Sequence, residues 1–180
     1  MAPPRITPVP ADELDDETRA LVGDWYLNIF GTLARHPKLL KRWLVFGSHV
    51  LGKSTLPPRD RELVILRTGW NCRSPYEWGQ HVVIARGEGI TDEEIERVAA
   101  GPDAPGWSEL ETLLLRAADE LHDDRAITDE TYAALSEHYD DRQMLDLVFA
   151  IGQYQLVSMV LNTFRVERDD GVTGVTIPAR

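Results

Sequence analysis

One segment of the sequence, residues 144–164, is apolar along almost its whole length. The segment is long enough to cross a membrane. Polar side chains interrupt it, however, at Asp146, Gln153, Gln155, Ser158 and Asn162. A helix that is apolar nearly all round must be buried on most of its surface. The segment therefore predicts the central helix of a protein core, and we expect no membrane partner.

The rest of the chain is also patterned as helices, because apolar residues recur every three or four positions between proline and glycine breaks. A first helix is predicted over 12–30, with core positions at Leu14, Leu21, Trp25 and Ile29. Further helices are predicted over 38–51, 58–71, 128–138 and from 140 to 164. Three others begin at capping boxes of the form Ser/Thr-x-x-Glu, headed by Ser74, Thr91 and Ser108.

These elements predict an all-α chain with a single domain of seven or eight helices. A proline-rich extended arm occupies residues 1–10, the helical domain residues 11–168, and a tail residues 169–180. Within the tail, residues 172–177 alternate weakly between apolar and polar and are either a short strand or an extended arm.

The net charge and the cysteine content of the chain limit the binding partners and the reactions that we expect. The chain has 19 Lys and Arg against 30 Asp and Glu, a formal net charge of −11, so we expect no nucleic-acid partner. Cys72 is the only cysteine, which excludes an intramolecular disulfide and any reaction that needs two thiols of one chain. The first ten residues contain four prolines and no long apolar run, so we expect no signal peptide and a cytoplasmic location.

Residues that can take part in acid–base chemistry are concentrated between positions 59 and 81. Glu77 and His81 are four residues apart on the predicted fourth helix and share a face. Glu62 lies on the preceding helix, which a short turn at 72–74 folds back alongside. Two carboxylates and an imidazole are therefore expected to converge between two antiparallel helices. An imidazole has an ordinary pKa of about 6.5, which suits it to acid or base work near neutrality.

This run of residues resembles the carboxymuconolactone decarboxylase and alkyl hydroperoxidase D-like superfamily over residues 35–165, most strongly over 58–95. The redox members of that all-helical superfamily carry a glutamate on one helix and Cys-x-x-Cys-x-x-x-His on the next. Glu62 and His81 match the glutamate and the histidine, whereas Ser74 and Glu77 occupy the two cysteine positions. The resemblance thus implies the helical bundle and a thiol-free branch without the dithiol peroxidase cycle. It also implies a symmetric homo-oligomer, a trimer or a multiple of it.

The leading hypothesis is a cofactor-free enzyme that decarboxylates, isomerises or eliminates from a small carbonyl or lactone compound. His81 would be its acid or base, and Glu62 and Glu77 would orient His81 or relay the proton. The expected substrate-binding side chains are Tyr76, Trp78, Trp70 and Arg67.

Other hypotheses keep the same fold. Glu62, Glu77 and His81 could bind a metal ion, the chain could bind a small molecule without catalysis, or Cys72 could support a weak one-cysteine peroxidase. Glu77 also has a purely structural interpretation, in which its carboxylate completes the capping box of Ser74.

Overall fold

The structure is a computed structural model that describes residues 2–24, 26–172 and 175–179. Nine α-helices form in these ranges: α1 (Asp16–Val22), α2 (Asn28–Leu33), α3 (Pro37–Gly52), α4 (Pro58–Asn71), α5 (Pro75–Gly87), α6 (Asp92–Ala100), α7 (Glu109–Asp123), α8 (Asp129–Leu135) and α9 (Asp141–Phe164). Two single turns of 3₁₀-helix, Ala11–Glu13 and Asp170–Val172, are the other regular elements there. No strand forms in these ranges, and the all-α prediction is confirmed.

The central element is α4, in which every residue from 61 to 71 except Trp70 is buried. On one side, Val64 and Ile65 pack against apolar side chains of α7 and α9. On the other side, Leu63 and Leu66 pack against α5 and α6. This arrangement places α4 beside both α5 and α9, and these three helices carry the polar side chains described below.

The predicted central helix, α9, is buried on one face only. Its inner face includes Leu147, Ile151 and Leu161, whereas Leu145, Phe149 and Met159 are more than half exposed. The helix has the length and composition of a membrane span, but more than half of its most apolar stretch is buried in the fold. The sequence therefore located this helix correctly but overstated its burial within one chain.

The predicted first helix, 12–30, is divided into α1 and α2. Gly23 ends α1 with a φ of +66°, in the left-handed region that glycine adopts most easily. The division explains why the structure has nine helices rather than seven or eight. Leu14 and Ile29 are buried as predicted and Leu21 is partly buried, while Trp25 lies outside the described residues.

Two of the three predicted capping boxes form. Thr91 and Ser108 accept hydrogen bonds from the backbones of Glu94 and Glu111, whose carboxylates reach back in return. Ser74 is the N-cap of α5 by position, but its side chain makes no capping hydrogen bond. The structural interpretation of Glu77 is thus wrong, and its carboxylate is directed elsewhere.

The helical starts near 128 and 140 are also found. Thr128 caps α8, which ends at Leu135 rather than 138, and Asp140 caps α9 in a capping box with Gln143. In the tail, the carboxylate of Asp169 accepts hydrogen bonds from the Tyr76 hydroxyl and the Gln80 amide. Residues 175–179 form no strand, and residues 173 and 174 lie outside the described part.

Candidate functional site

The three residues singled out by their spacing form one buried cluster. The Nδ1 atom of His81 lies 2.6 Å from Oε2 of Glu62, and its Nε2 atom lies 3.0 Å from Oε1 of Glu77. The side chains of Glu62, Glu77 and His81 are exposed by only 0%, 4% and 5%. The imidazole is therefore held between two carboxylates, with each ring nitrogen facing one of them.

Two further side chains complete the cluster. Arg61 is itself buried, and its Nε donates to Oε1 of Glu62 at 3.0 Å. The ring of Tyr154, on α9, meets the His81 ring edge-on with a centroid distance of 4.7 Å. With both carboxylates ionised, the two negative charges are balanced by Arg61 and a protonated His81. Such balance is what a buried group of charges requires.

The electrostatics favour the protonated imidazole. Burial lowers the pKa of His81, but the charge of Glu62 and the hydrogen bonds to both carboxylates outweigh it and raise the pKa to about 10. Burial also raises the pKa of Glu62, while His81 and Arg61 outweigh that effect and lower it overall. At neutral pH, His81 is accordingly an imidazolium that can donate a proton, and Glu62 is a carboxylate.

Close packing of α4 against α5 brings the cluster together. A methyl group at Gly69 would already touch Cγ of Glu77 at 3.4 Å, so a longer side chain there would displace the carboxylate. The turn between the helices contains Arg73 at a φ of +51°. The Ser74 N–H donates to the Gly69 carbonyl across this turn. A glycine at 69 and a tight turn at 72–74 thus set the approach of Glu77 to Glu62.

The sequence analysis missed Arg61 and Tyr154 as members of the cluster. Tyr154 and Ser158 are four residues apart on α9 and share a face, and both are buried. The available signal in the sequence was the presence of these two polar side chains on the inner face of an otherwise apolar helix. That signal did not show which other helix they would meet, because this depends on the packing of α9 against α5.

The four expected substrate-binding side chains do not form a wall around His81. Trp78 is buried in the apolar cluster with Leu63 and Leu66. Arg67 forms a bidentate ion pair with Asp119 and also donates to carbonyl oxygens of α6. Its guanidinium lies 4.6 Å from the centre of the Trp70 ring. The Tyr76 hydroxyl binds Asp169. These side chains hold helices and tail together, which corrects the predicted geometry of the groove.

Cys72 lies at the end of α4, beside α9. Burial raises the pKa of its thiol, and the neighbouring Ser158 hydroxyl offsets this only in part. The Sγ atom is 3.8 Å from Nδ1 of His122. The thiol is therefore protonated at neutral pH, and the thiolate that reacts as a nucleophile is suppressed.

Comparisons with known proteins match part of the chain to a family model and nearly all of it to solved structures with the same fold. Residues 37–120 match the model of the carboxymuconolactone decarboxylase family. The comparison with curated proteins gave no match. One similar structure is an alkylhydroperoxidase AhpD core, an uncharacterized peroxidase-related protein from Ralstonia eutropha JMP134, at 20% identity and a TM-score of 0.82 with 96% of each chain covered. Another, an uncharacterized peroxidase-related protein from Silicibacter sp. TM1040, has 16% identity, a TM-score of 0.82 and the same coverage.

The family match falls on the segment that contains the cluster, since Glu62, Glu77 and His81 all lie within residues 37–120. The structural likeness extends over nearly the whole chain and concerns the fold. Residues 37–120 therefore match the carboxymuconolactone decarboxylase family, and the chain has the fold of these peroxidase-related structures.

Proposed function

We propose that the protein is a cofactor-free enzyme that moves a proton next to a carbonyl group of a small molecule, as in decarboxylation, isomerisation or elimination. The observation that carries this proposal is the buried His81 imidazolium between two carboxylates. Burial of such a group is costly, and pairs of titratable groups with opposed pKa shifts are typical of acid–base sites.

The two carboxylates have different tasks in this mechanism. Glu62 is fully enclosed and shares its two oxygens between Arg61 and His81, so it fixes the ring and keeps it charged. Glu77 lies on the first turn of α5 and its side chain is 4% exposed against 0% for Glu62, so we assign to Glu77 the exchange of protons with the substrate. His81 can return a proton to Glu77 across the 3.0 Å contact.

The reaction then proceeds by general acid–base catalysis. For isomerisation, the Glu77 carboxylate takes the proton from the carbon next to the carbonyl. The C–H electron pair forms the enolate double bond, and the carbonyl π pair moves to oxygen. Where a C=C bond is conjugated with the enolate, return of the proton to the γ carbon of this dienolate shifts the double bond and gives the isomer. For decarboxylation, the C–C pair forms the enolate as CO₂ leaves, and the site supplies one proton to carbon.

Metal binding at this cluster is disfavoured by its distances. Both ring nitrogens of His81 lie at direct hydrogen-bond distance from a carboxylate oxygen, whereas a metal ligand needs a nitrogen lone pair directed at the ion. We therefore assign the chemistry to the side chains alone.

Proton transfer of this kind can be detected without knowing the natural substrate. In D₂O, the protein should exchange the protons next to the ketone of 4-oxopentanoate for deuterium, which ¹H NMR follows as the loss of their signals. A Cys72→Ser variant should exchange at the parent rate and serves as a control. The parent protein and buffer alone are compared for the rate at which these signals are lost, first with 4-oxopentanoate and then with related lactone acids. If the rates were equal for every probe, the proposed chemistry would be wrong.

We also propose that the protein has no dithiol peroxidase cycle, since Ser74 and Glu77 stand at the thiol positions and burial raises the pKa of Cys72. Dithiol-dependent consumption of cumene hydroperoxide should not exceed that of buffer, and Cys72→Ser should behave like the parent. Turnover that Cys72→Ser abolished would overturn this prediction. A chain with one unpaired thiol suits a reducing compartment, and we propose the cytoplasm.

A homo-oligomer remains our expectation for the solution state, with α3 and α9 as the contact surface. Leu145, Phe149, Leu156 and Met159 of α9 are all at least half exposed, beside Leu39 and Val45 of α3, a large apolar area for a monomer. Light scattering should give a trimer or a multiple of it. Phe149→Lys should shift the mass toward the monomer, whereas Val83→Lys, at an exposed valine of α5, should not. A monomeric parent protein at micromolar concentration would contradict the prediction.

A further inference from the structure

The carboxylate of Asp169, in the tail, is hydrogen-bonded to two different helices. Its Oδ2 atom accepts hydrogen bonds from the Tyr76 hydroxyl at 2.5 Å and from the Gln80 amide at 2.6 Å, both on α5. Its Oδ1 atom accepts one at 2.8 Å from the backbone N–H of Asn28, the first residue of α2. Hydrogen bonds to a carboxylate are about twice as strong as those between neutral groups. One tail residue therefore joins α5 to the start of α2.

The two α5 residues that bind Asp169 directly precede two members of the His81 cluster. Tyr76 and Gln80 are four residues apart, and so are Glu77 and His81, one position further along. Successive residues of a helix point about 100° apart, so the two pairs lie on adjacent faces of the same helical turn. One face binds Asp169 and the other carries the cluster. A rotation of α5 that breaks one set of contacts also displaces the other.

The tail beyond Asp169 continues along α5 through apolar contacts. Val172 packs so closely against Gly79 that a methyl group added to this glycine would lie 3.4 Å from Cβ of Val172. Further on, Val175 and Ile177 pack against the apolar cluster formed by α4, α5 and α6. Apolar contacts are non-directional, so they hold a helix in place without fixing its rotation. The hydrogen bonds of Asp169 are the directional part of this attachment.

The contact between His81 and Glu62 is the part of the cluster that depends on the rotation of α5. Glu77 and His81 belong to one helix and move together, whereas Glu62 belongs to α4. Side-chain atoms lie about 5–6 Å from a helix axis, so a rotation of only about 10° moves them by about 1 Å. Nδ1 of His81 is 2.6 Å from Oε2 of Glu62. Such a movement away from Glu62 would lengthen this contact beyond hydrogen-bond range.

We infer that Asp169 is a positioning residue that fixes the rotation of α5 through Tyr76 and Gln80. By fixing it, the tail holds the His81 imidazole against Glu62. Asp169 thus acts through α5 rather than by contact with His81. The effect on proton exchange rests on the proposed function, whereas the effect on the contact between His81 and Glu62 is independent of what the protein catalyses.

The groups that face His81 determine which measurement reports its position. Glu62, paired with Arg61, faces it from α4, Glu77 from α5 and Tyr154 from α9. Burial lowers the pKa of His81, and the charge and hydrogen bond of Glu62 are the largest of the effects that raise it to about 10. A longer contact with Glu62 therefore lowers the pKa of His81, which NMR of the imidazole measures directly.

An NMR titration of the His81 ring between pH 6 and pH 11 tests the inference. Asp169→Asn replaces one acceptor oxygen by a donor, and it should lower the pKa of His81 from about 10 to about 9, within the usual effect of a neighbouring opposite charge. Tyr76→Phe keeps the Asp169 charge but removes one hydrogen bond, and it should change the pKa in the same direction. Glu167→Gln is the matched control, since it removes a charge from an exposed tail position and should leave the pKa of His81 unchanged.

The possible results separate positioning from stability and from charge. An unchanged pKa of His81 in Asp169→Asn and Tyr76→Phe would overturn the inference, even with a lower melting temperature, because the tail would then only stabilise the fold. An equal decrease in Glu167→Gln would also overturn it, because the charge of the tail would then explain the effect. The result for Tyr76→Phe decides if the two variants differ or if Asp169→Asn does not fold.

Deuterium exchange keeps this inference apart from the proposed function. If the parent protein exchanges the protons of 4-oxopentanoate, the pH above which exchange is lost should decrease in Asp169→Asn by the same amount as the pKa of His81. A decreased pKa of His81 in a protein that exchanges no protons would leave the positioning role intact and remove the proposed function. Exchange that requires His81 but keeps the parent pH profile in both Asp169→Asn and Tyr76→Phe would do the reverse.

Discussion

His81→Gln should slow deuterium exchange into 4-oxopentanoate by about 10²- to 10⁴-fold, the usual contribution of one acid–base group. Glutamine is close to histidine in volume and can still bond to both carboxylates, but it cannot be protonated near neutral pH. Glu77 would then lose the neighbouring group that returns a proton to it. The rate at saturating probe is the quantity to compare, because it does not depend on the affinity for the probe.

Companion variants identify the cause of the loss. Glu77→Gln should reduce exchange to a similar extent, since it removes the proton acceptor while keeping the shape of the side chain. Because Ser74 and Glu77 form no capping box, the start of α5 should survive this change. His138→Gln, on an exposed turn, should exchange at the parent rate. Exchange at the parent rate in both His81→Gln and Glu77→Gln would mean that the cluster has no part in catalysis.

Local spacing was enough to predict that Glu62, Glu77 and His81 form one cluster. Glu77 and His81 are four residues apart and therefore lie on the same face of a helix. A short turn must then bring the preceding helix, which carries Glu62, alongside. The same local rules correctly placed the starts of α5, α6 and α7. Local spacing could not rank two competing partners for Glu77, and the structure shows its carboxylate at His81 rather than at the Ser74 backbone.

The remaining errors have a common physical cause, which is long-range packing. Arg67 was expected at the substrate, but its guanidinium binds Asp119 of α7 and carbonyl groups of α6. Trp78 was expected to line a groove, but it fills the space between α4 and α6. The residues that Arg67 and Trp78 contact are distant from them in the sequence, so no local sequence pattern could predict these contacts. Ser158 was visible only as an interruption of an apolar run.

The free energy of unfolding should decrease as the pH rises from about 6.5 to about 9. The pKa of His81 is raised from its ordinary value near 6.5 to about 10 in the folded protein. A raised pKa means that the folded state holds this proton more tightly than the unfolded state does. The resulting stabilisation is complete below pH 6.5 and is lost gradually toward pH 10. Urea unfolding at pH 6 and pH 9 should differ by a few kcal/mol, on the order of one kcal/mol for each pH unit crossed.

Variants of the cluster show whether His81 is the origin of this decrease. His81→Gln should flatten the profile over the same range, because glutamine does not titrate, whereas the surface variant His138→Gln should keep the parent profile. Glu62→Gln should lower stability at pH 7 by about 3–5 kcal/mol, the usual cost of removing one partner from a buried ion pair. The charges of His81 and Arg61 then remain buried with Glu77 as the only carboxylate of the cluster. A parent profile that His81→Gln leaves unaltered would show that the imidazole carries no extra proton in the folded state, and His81 would then have to act as a neutral ring.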